Sequence, residues 1–383
     1  MDWSAVQSRR DRILTQRAQG ALAKARALPG LEVLFGHARL TGPHTALVEL
    51  PDARRTISFD QAVLATGSVP DRLPIPGVEL PGVLDSEKLI KIGFVPESLA
   101  LIGGGPIGVE MAQIFAMLGS RVTILEAAPR ILGAVDAALA ARLTERLEAD
   151  GIRVQTGVHI GSIEGEAQAH RVRYRRDDKK REVTAQVVAI AAGRHPNVES
   201  LGLETTAVQH DRQGVKADEC LQTHETGIYA TGDLVGHPMF AHWATAQALA
   251  VARHLLGAPA AFPRPEHNSA VIFSCPELGM AGLTEEAAQA AGLDVAVATY
   301  DYRIDARAQI SGEPDGLLRI VYRRDDRRIV GIHALVEGAA DLIGEAALAV
   351  RNGITLEQLA TSIHPHPTLT ESFGLAAGAV PAG

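Results

Sequence analysis

The sequence is short of cysteine, of aromatic side chains and of long apolar runs. Cys220 and Cys275 are its two cysteines, far apart and without metal-ligand or redox spacing, which excludes a cysteine-built metal centre or redox pair. Aromatic residues make up 4% of the chain. No basic stripe interleaved with aromatics follows Arg9, Arg10, Arg12 and Arg17, and the net charge is −8, so nucleic-acid binding is not expected. The longest apolar runs, such as Val187 to Ala192, fall far below the roughly 18 residues that a membrane span needs. The charged start MDWSAVQSRRDR has no apolar stretch behind it and is no secretory signal, so a cytoplasmic location and no membrane partner are expected. Neither solenoid repeats nor low-complexity tracts occur.

What is present is a globular composition: 46% apolar and 21% charged over 383 residues, too long for one ordinary core. From Met1 to about Arg26, the residues Val6, Ile13, Leu14, Ala18, Ala21 and Leu22 recur at helical spacing, and Pro29-Gly30 ends the helix. Strand-like runs follow at LEVLFG, HTALVEL and TISFDQAVLAT. Five prolines between Pro70 and Pro96 predict an extended connection.

After it comes a βαβ pattern: an apolar run at Leu99 to Ile102, a glycine turn, a helix to Leu118, and a second strand at Val122 to Leu125. A second helix carries Val135, Leu139, Leu143 and Leu147, and VRYRRDDKKREVTAQVVAIAAG reads as a hairpin feeding a buried strand. A helix from about Ala241 to Leu256 precedes another proline-rich boundary at Pro263 to Pro265. The rest alternates strands (SAVIFS, with Cys275 in that first strand, then LLRIVYRR and RIVGIHAL) with helices near Thr284 to Ala291 and Ala339 to Asn352, the pattern of an α+β domain.

Gly103, Gly105 and Gly108 occupy the G-x-G-x-x-G positions, within the run Gly103-Gly104-Gly105-Pro106-Ile107-Gly108. The first glycine permits the tight turn, the second lets backbone approach a pyrophosphate, and the third lets helix and strand pack closely. Pro106 suits the first helical turn, and the helix start offers N–H groups and a positive dipole end to phosphates. Glu126 ends the second strand eighteen residues after Gly108, near the spacing of an acid that binds adenine-ribose hydroxyls. A carboxylate there favours NADH over NADPH by repelling a 2′-phosphate, with Arg130 nearby pulling the other way. The bland alternative is a glycine turn in an α/β core.

VLATGSVP at Val63 to Pro70 and IYATGDLVGHPMFAHWA at Ile228 to Ala244 are strand-to-glycine turns, each unremarkable alone. Together with the fingerprint between them, and with AGRHPNVESLGLE, FSCPELGMAGLTEE and HPHPTLTESF, they resemble the class I pyridine nucleotide-disulfide oxidoreductases over almost the whole chain. The resemblance implies an α/β fold: a Rossmann-like NAD-binding domain inserted in an FAD-binding domain, plus a C-terminal α+β dimerisation domain. The expected segments are 1–95 and 196–265 for FAD, 96–195 for NAD and 266–383 for the dimer interface. It implies that Gly36, Thr66, Gly67, Ser68, Asp233, Ala241 and His242 approach FAD, and that Val158 and Gly193 touch NAD. Taken alone, Asp233 as a helix cap and His242 as a core histidine are equally good readings.

His366 and Glu371 match the family's HPTxxE pair, in which a carboxylate orients an imidazole that exchanges protons with a substrate dithiol. His364 lacks that spacing. The bland alternative is that both histidines simply begin a helix behind proline. In the family the histidine serves the other subunit's active site, so a homodimer through the C-terminal domain is implied, with a small-molecule or protein-bound dithiol or disulfide as substrate.

The family's opening βαβ unit for the FAD diphosphate, its CxxxxC pair and the lysine beside the flavin have no counterpart in the sequence. The FAD domain is therefore expected to be truncated, with open strand edges, exposed apolar surface and impaired flavin binding and turnover. Glu110, which by resemblance pairs with that lysine, is expected to lack its cation and to have a raised pKa if buried. Two alternatives stay open: an NAD-binding subunit that pairs with a complete homologue, and a flavin-dependent NADH oxidase or quinone reductase. The tail GLAAGAVPAG has no cysteine pair, which disfavours mercuric ion as substrate.

Overall fold

Five short parallel strands carry the glycine turn, in the spatial order Val83–Asp85, Val187–Ile190, Ser98–Ile102, Arg121–Leu125, Arg153–Gln155. In this computed structural model, which describes residues 2–166 and 168–381, contacts group the chain into two units. One unit comprises Arg72–Ile90, Pro96–Gly193 and Arg264–Gly383; the other comprises Met1–Asp71, Lys91–Val95 and Arg194–Pro263.

Within the first unit, Ser98–Ile102 is the central strand, and its buried apolar run is what a parallel strand covered on both faces requires. The chain leaves it through the helix Pro106–Met117 to the neighbour on one side, while Val187–Ile190 joins from the other. The glycine turn therefore sits at a switch point of the sheet, where open α/β folds bind ligands. The edge strand Val83–Asp85 and the short helix Ser86–Leu89 come from the proline-rich stretch, which is thus more than an extended connection.

The expected hairpin is a three-stranded antiparallel sheet of His159–Glu166, Ala169–Arg176 and Lys179–Ala185. Alternate residues His170, Val172 and Tyr174 are buried along its middle strand.

The terminal segment is a five-stranded antiparallel sheet, in the order Ser269–Ile272, Leu278–Gly282, Ile329–Leu335, Leu317–Arg323, Val295–Asp301. One of these strands, Leu278–Gly282, lacks a strong sequence signal. Gly279 shows why: a Cβ there would lie 3.1 Å from the Ala339 carbonyl, so a small residue lets the helix Ala339–Arg351 approach the sheet. Cys275 is not in the first strand, which ends at Ile272. It lies in the following loop, where its backbone N–H and C=O both bond to the Gln113 side chain at 2.9 Å.

In the second unit, His37–Gly42, Thr45–Glu49 and Arg54–Ser58 form an antiparallel meander. Residues 31–36 are not a strand, contrary to the pattern of LEVLFG. Gly36 is where the chain crosses the meander: a Cβ there would come 2.3 Å from the Glu49 carbonyl oxygen. Ala62–Leu64 pairs in parallel with Ile228–Ala230, and Ser68–Pro70 pairs antiparallel with Arg194–Pro196. The helix Trp3–Arg26 buries none of its residues, and Leu14, Phe35 and Val63 are exposed.

Candidate active site

The glycine turn shows a separate task for each glycine. Gly103 has φ +114°, and a Cβ on it would meet the Ala191 carbonyl oxygen at 2.4 Å. Gly108 lies so close to the Gly103 carbonyl that a Cβ would come within 2.1 Å of its oxygen. Gly105 faces open space, with nothing within 4 Å of a Cβ. No side chain caps the helix that Pro106 begins, so its start remains a site for an anion.

Glu126 accepts hydrogen bonds from the N–H of Gly104 (2.6 Å) and of Ala128 (2.7 Å), one on each carboxylate oxygen. The acid thus shapes the glycine turn, while its oxygens keep lone pairs for ribose hydroxyls. Val158 donates its N–H to the Glu126 carbonyl (3.1 Å) with its side chain in the core, and Gly193 takes φ +140°. These residues fit a dinucleotide: open backbone at Gly105, an uncapped helix start and a ribose acid.

Glu110 lies on the same helix, and its Oε1 accepts the Phe273 N–H at 2.9 Å. Burial pushes its carboxyl pKa up, and the Phe273 hydrogen bond offsets only part of this. Among the described residues no lysine or arginine forms an ion pair with it.

Near the C-terminus the helix Glu371–Gly378 is fixed by buried Phe373, Ala376 and Ala377 and by a 2.9 Å hydrogen bond between Ser372 and the buried Tyr302 hydroxyl. That anchoring sets the position of Glu371. Its carboxylate accepts the Thr368 N–H at 2.9 Å and lies 3.0 and 3.1 Å from His366 Nδ1. The Thr368 N–H and then His366 hold its pKa below the usual carboxylate range. A carboxylate only accepts, so Nδ1 carries the proton and Nε2 is left as the base. His366 is 72% exposed and Glu371 24%, so the imidazole is presented outward from a half-buried orienting group. A cavity of about 570 Å³, lined by Pro365, Pro367 and Thr368 among others, adjoins the pair. His364 has its own partner, Glu345 on the helix Ala339–Arg351, 2.8 Å from Nε2, a contact that spacing alone does not reveal.

In the other unit, Ser68 donates to Asp233 Oδ2 (2.6 Å) and accepts from Arg194 Nε (2.8 Å). Thr66 donates to the Asn197 carbonyl (2.9 Å), and Gly67, at φ +72°, accepts the Asn197 N–H (2.9 Å). Gly67 and Asp233, with Ala65, Thr231, Gly232, Ala244, Thr245 and Ala248, line a cavity of about 400 Å³. The helix Ala241–Leu255 begins without a capping side chain, and His242 near its start is exposed and stacks on Phe240 with centroids 5.2 Å apart. Asp233 is therefore no helix cap and His242 no core histidine. These small residues, with an acid and a helix start, fit the sugar-alcohol and ring end of a flavin dinucleotide. Among the described residues of this unit no second glycine-rich strand-to-helix turn offers a place for its diphosphate. Both cysteines are free, and burial pushes the Cys275 thiol pKa up, which disfavours the thiolate.

Residues 6–248 match the family model described as pyridine nucleotide-disulphide oxidoreductase, and residues 268–377 match that family's dimerisation domain. Dihydrolipoyl dehydrogenase of Geobacillus stearothermophilus is 34% identical over 348 residues, covering 89% of this chain and 72% of the relative. A Bacillus subtilis dihydrolipoyl dehydrogenase is 30% identical over 375 residues, covering 97% and 81%. Among solved structures, the HOCl-induced flavoprotein disulfide reductase RclA from Escherichia coli, as its Cu(II) complex, superposes with a TM-score of 0.92 at 26% identity, covering 100% of this chain and 86% of that one. LpdA from Mycobacterium tuberculosis gives 0.89 at 26% identity, covering 99% and 83%. The glycine turn, the dimerisation domain and these likenesses agree: the chain belongs to the pyridine nucleotide-disulphide oxidoreductases and is an oxidoreductase of that family.

Proposed function

We propose that this chain carries the NADH-binding half and the proton-transfer dyad of an FAD-dependent disulfide reductase of the dihydrolipoyl dehydrogenase kind. The observation that carries the reading is the His366–Glu371 pair, 3.0 Å apart with the imidazole exposed, because that dyad serves thiol chemistry. Gly103, Gly104, Gly105, Pro106, Ile107 and Gly108 would hold the NADH diphosphate and Glu126 its ribose hydroxyls, with Val158 and Gly193 beside it. Glu126 favours NADH over NADPH. Ser68, Thr66, Gly67 and Asp233 would hold the flavin's sugar-alcohol chain, with Ala241 and His242 toward its ring and Gly36 toward the adenine end. When bound, the flavin supplies an acceptor for hydride and a route for electrons to a disulfide.

The residues of the chain do the rest. The uncapped helix at Pro106 binds and orients the dinucleotide. Glu371 fixes the His366 tautomer, and Nε2 takes a proton from a dithiol and returns it. The exposed imidazole would serve the site of a second subunit, joined through the dimerisation domain. Cys220 and Cys275 lack the spacing of the redox pair, and among the described residues the unit that carries Ser68 and Asp233 offers no second glycine-rich turn for a diphosphate. The sequence as it stands is therefore expected to bind NADH but not to turn over a disulfide unaided. The same outward presentation of His366 supports a second reading, a subunit that completes the site of a fuller homologue.

Purification of the chain with a visible absorption spectrum, NADH titration and a dithiol assay tests this. A colourless protein that binds NADH and lacks dithiol activity is expected. A yellow protein that turns over a dithiol unaided overturns the proposed impairment, and failure to bind NADH overturns the whole reading.

A further inference from the structure

The loop between Glu126 and the helix Ala137–Ala149 is tied down from the terminal segment. Arg130 makes a two-pronged ion pair with Glu286, NH1 to Oε1 at 3.1 Å and NH2 to Oε2 at 2.7 Å. Its NH2 also donates to the Gly133 carbonyl (2.9 Å), while its buried Nε has no partner. The neighbouring acid, Glu285, binds Arg319 at 2.6 Å, and Arg319 holds Asp136 at 2.8 Å at the far end of the same loop. Between these ties Leu132 sits at φ +53°, a left-handed conformation costly for a leucine, and its N–H bonds the Gly104 carbonyl at 2.9 Å. The loop that follows the ribose acid is thus pressed onto the glycine turn, with its one arginine turned toward Glu286.

That arrangement matters for a ligand with a 2′-phosphate. Arg130 is four residues past Glu126, where a guanidinium could bind the extra phosphate of NADPH. A guanidinium already matched by a carboxylate in planar, two-bond geometry offers a phosphate little, because the competing anion must first be displaced.

We propose that Glu286 sets the preference for NADH over NADPH, by holding the Arg130 guanidinium on the terminal segment and away from a 2′-phosphate. This rests on the reading of Gly103 to Glu126 as the nucleotide site. Glu286 is a positioning residue: it acts through Arg130. The first glutamate of the pair, Glu285, steadies the other end of the loop through Arg319 and Asp136.

The test is calorimetric titration of the full chain with NADH and with NADPH. Wild type is expected to bind NADH the more tightly. In Glu286→Gln the ratio of the NADPH Kd to the NADH Kd should fall about tenfold, equivalent to ~1.4 kcal/mol. The double variant Arg130→Gln/Glu286→Gln should return the ratio to its wild-type value, since the gain depends on the freed charge and not on a loosened loop. Glu357→Gln, which breaks the exposed Arg327–Glu357 pair elsewhere in the unit, should leave both affinities unchanged. Should Glu286→Gln fail to fold, Glu286→Asp has to show a smaller shift in the same direction.

An unaltered ratio in the single variant, or a gain that survives loss of Arg130, overturns the proposal while leaving the nucleotide site intact. A wild-type chain that binds neither nucleotide overturns the underlying site as well.

Discussion

His366 Nδ1 lies 3.0 Å from Glu371 Oε1, and the carboxylate that orients the ring is itself fixed by the Thr368 N–H. Substituting Glu371 by Gln replaces an obligate acceptor with a group that can also donate, so the imidazole is no longer confined to the Nδ1–H form. The expected result is a mixture of tautomers in Glu371→Gln, where wild type at neutral pH shows one. Long-range nitrogen–proton NMR correlations of the ring measure it, and a single tautomer in both proteins would show that Glu371 does not direct the ring. Because the Glu371 carboxyl is held below its ordinary range, the carboxylate that accepts from Nδ1 persists above pH ~4.3 and is lost as the pH falls through the lowered value.

The glycines at 103 and 105 separate folding from binding. Gly105 has φ −73° and open space where a Cβ would go, so Gly105→Ala should leave stability unchanged or raise it by ~0.5 kcal/mol. On the proposed function the added methyl would stand where the diphosphate approaches, and NADH affinity should fall about tenfold or more. Gly103→Ala combines φ +114° with a backbone clash and should lower both stability and binding. Denaturant unfolding beside nucleotide titration distinguishes the two patterns.

Burial raises the Glu110 pKa, so the native state binds its proton more tightly than the unfolded chain does. Stability from this group is present below the unfolded value near pH 4.3 and declines as pH rises through the raised native value. Glu110→Gln should therefore stabilise the protein at pH 7, with the gain fading toward pH 4. Solvent still reaches the carboxyl, which limits the gain to about 0.5 kcal/mol. Thermal melts across that range check the sign, and a destabilised variant at pH 7 would point to a cation paired with Glu110 in solution.

Asp136 joins two duties in one buried side chain, 3% exposed. It accepts the Ala138 and Leu139 N–H groups at a helix start and pairs with Arg319, itself 16% exposed. Asp136→Ala removes the cap and leaves Arg319 with Glu285 alone, for an expected loss of about 3 kcal/mol. Asp136→Asn keeps an acceptor for the helix and should lose roughly half as much. Equal losses by urea unfolding would assign the whole effect to the charge.

Much of the site is legible in the order of residues because its parts are local. The turn Gly103 to Gly108 and the acid at its second strand lie within one βαβ unit, where strand and helix periods fix the geometry. His366 and Glu371 meet across five positions. Partners brought together by long-range packing are not legible in this way. Glu345 beside His364, Gln113 on both backbone groups of Cys275, and Arg194 on Ser68 come from distant segments. Gly36 carries a reading beyond local spacing too: its immediate reason is the Glu49 carbonyl against it, which any crossing of the meander would demand. The strand Leu278–Gly282 is weakly patterned because Gly279, small for the close approach of the helix Ala339–Arg351, interrupts its apolar run.

By itself the sequence determined the family, the glycine turn, the His366–Glu371 spacing and the lack of redox spacing between the cysteines, since each depends on residue types at short fixed spacings or on their absence. Tertiary structure alone decided where charge is committed. Arg130 and Glu286 are far apart along the chain, and only the packing of the terminal α+β segment beside the parallel sheet turns two ordinary surface residues into one ion pair in the loop that follows Glu126.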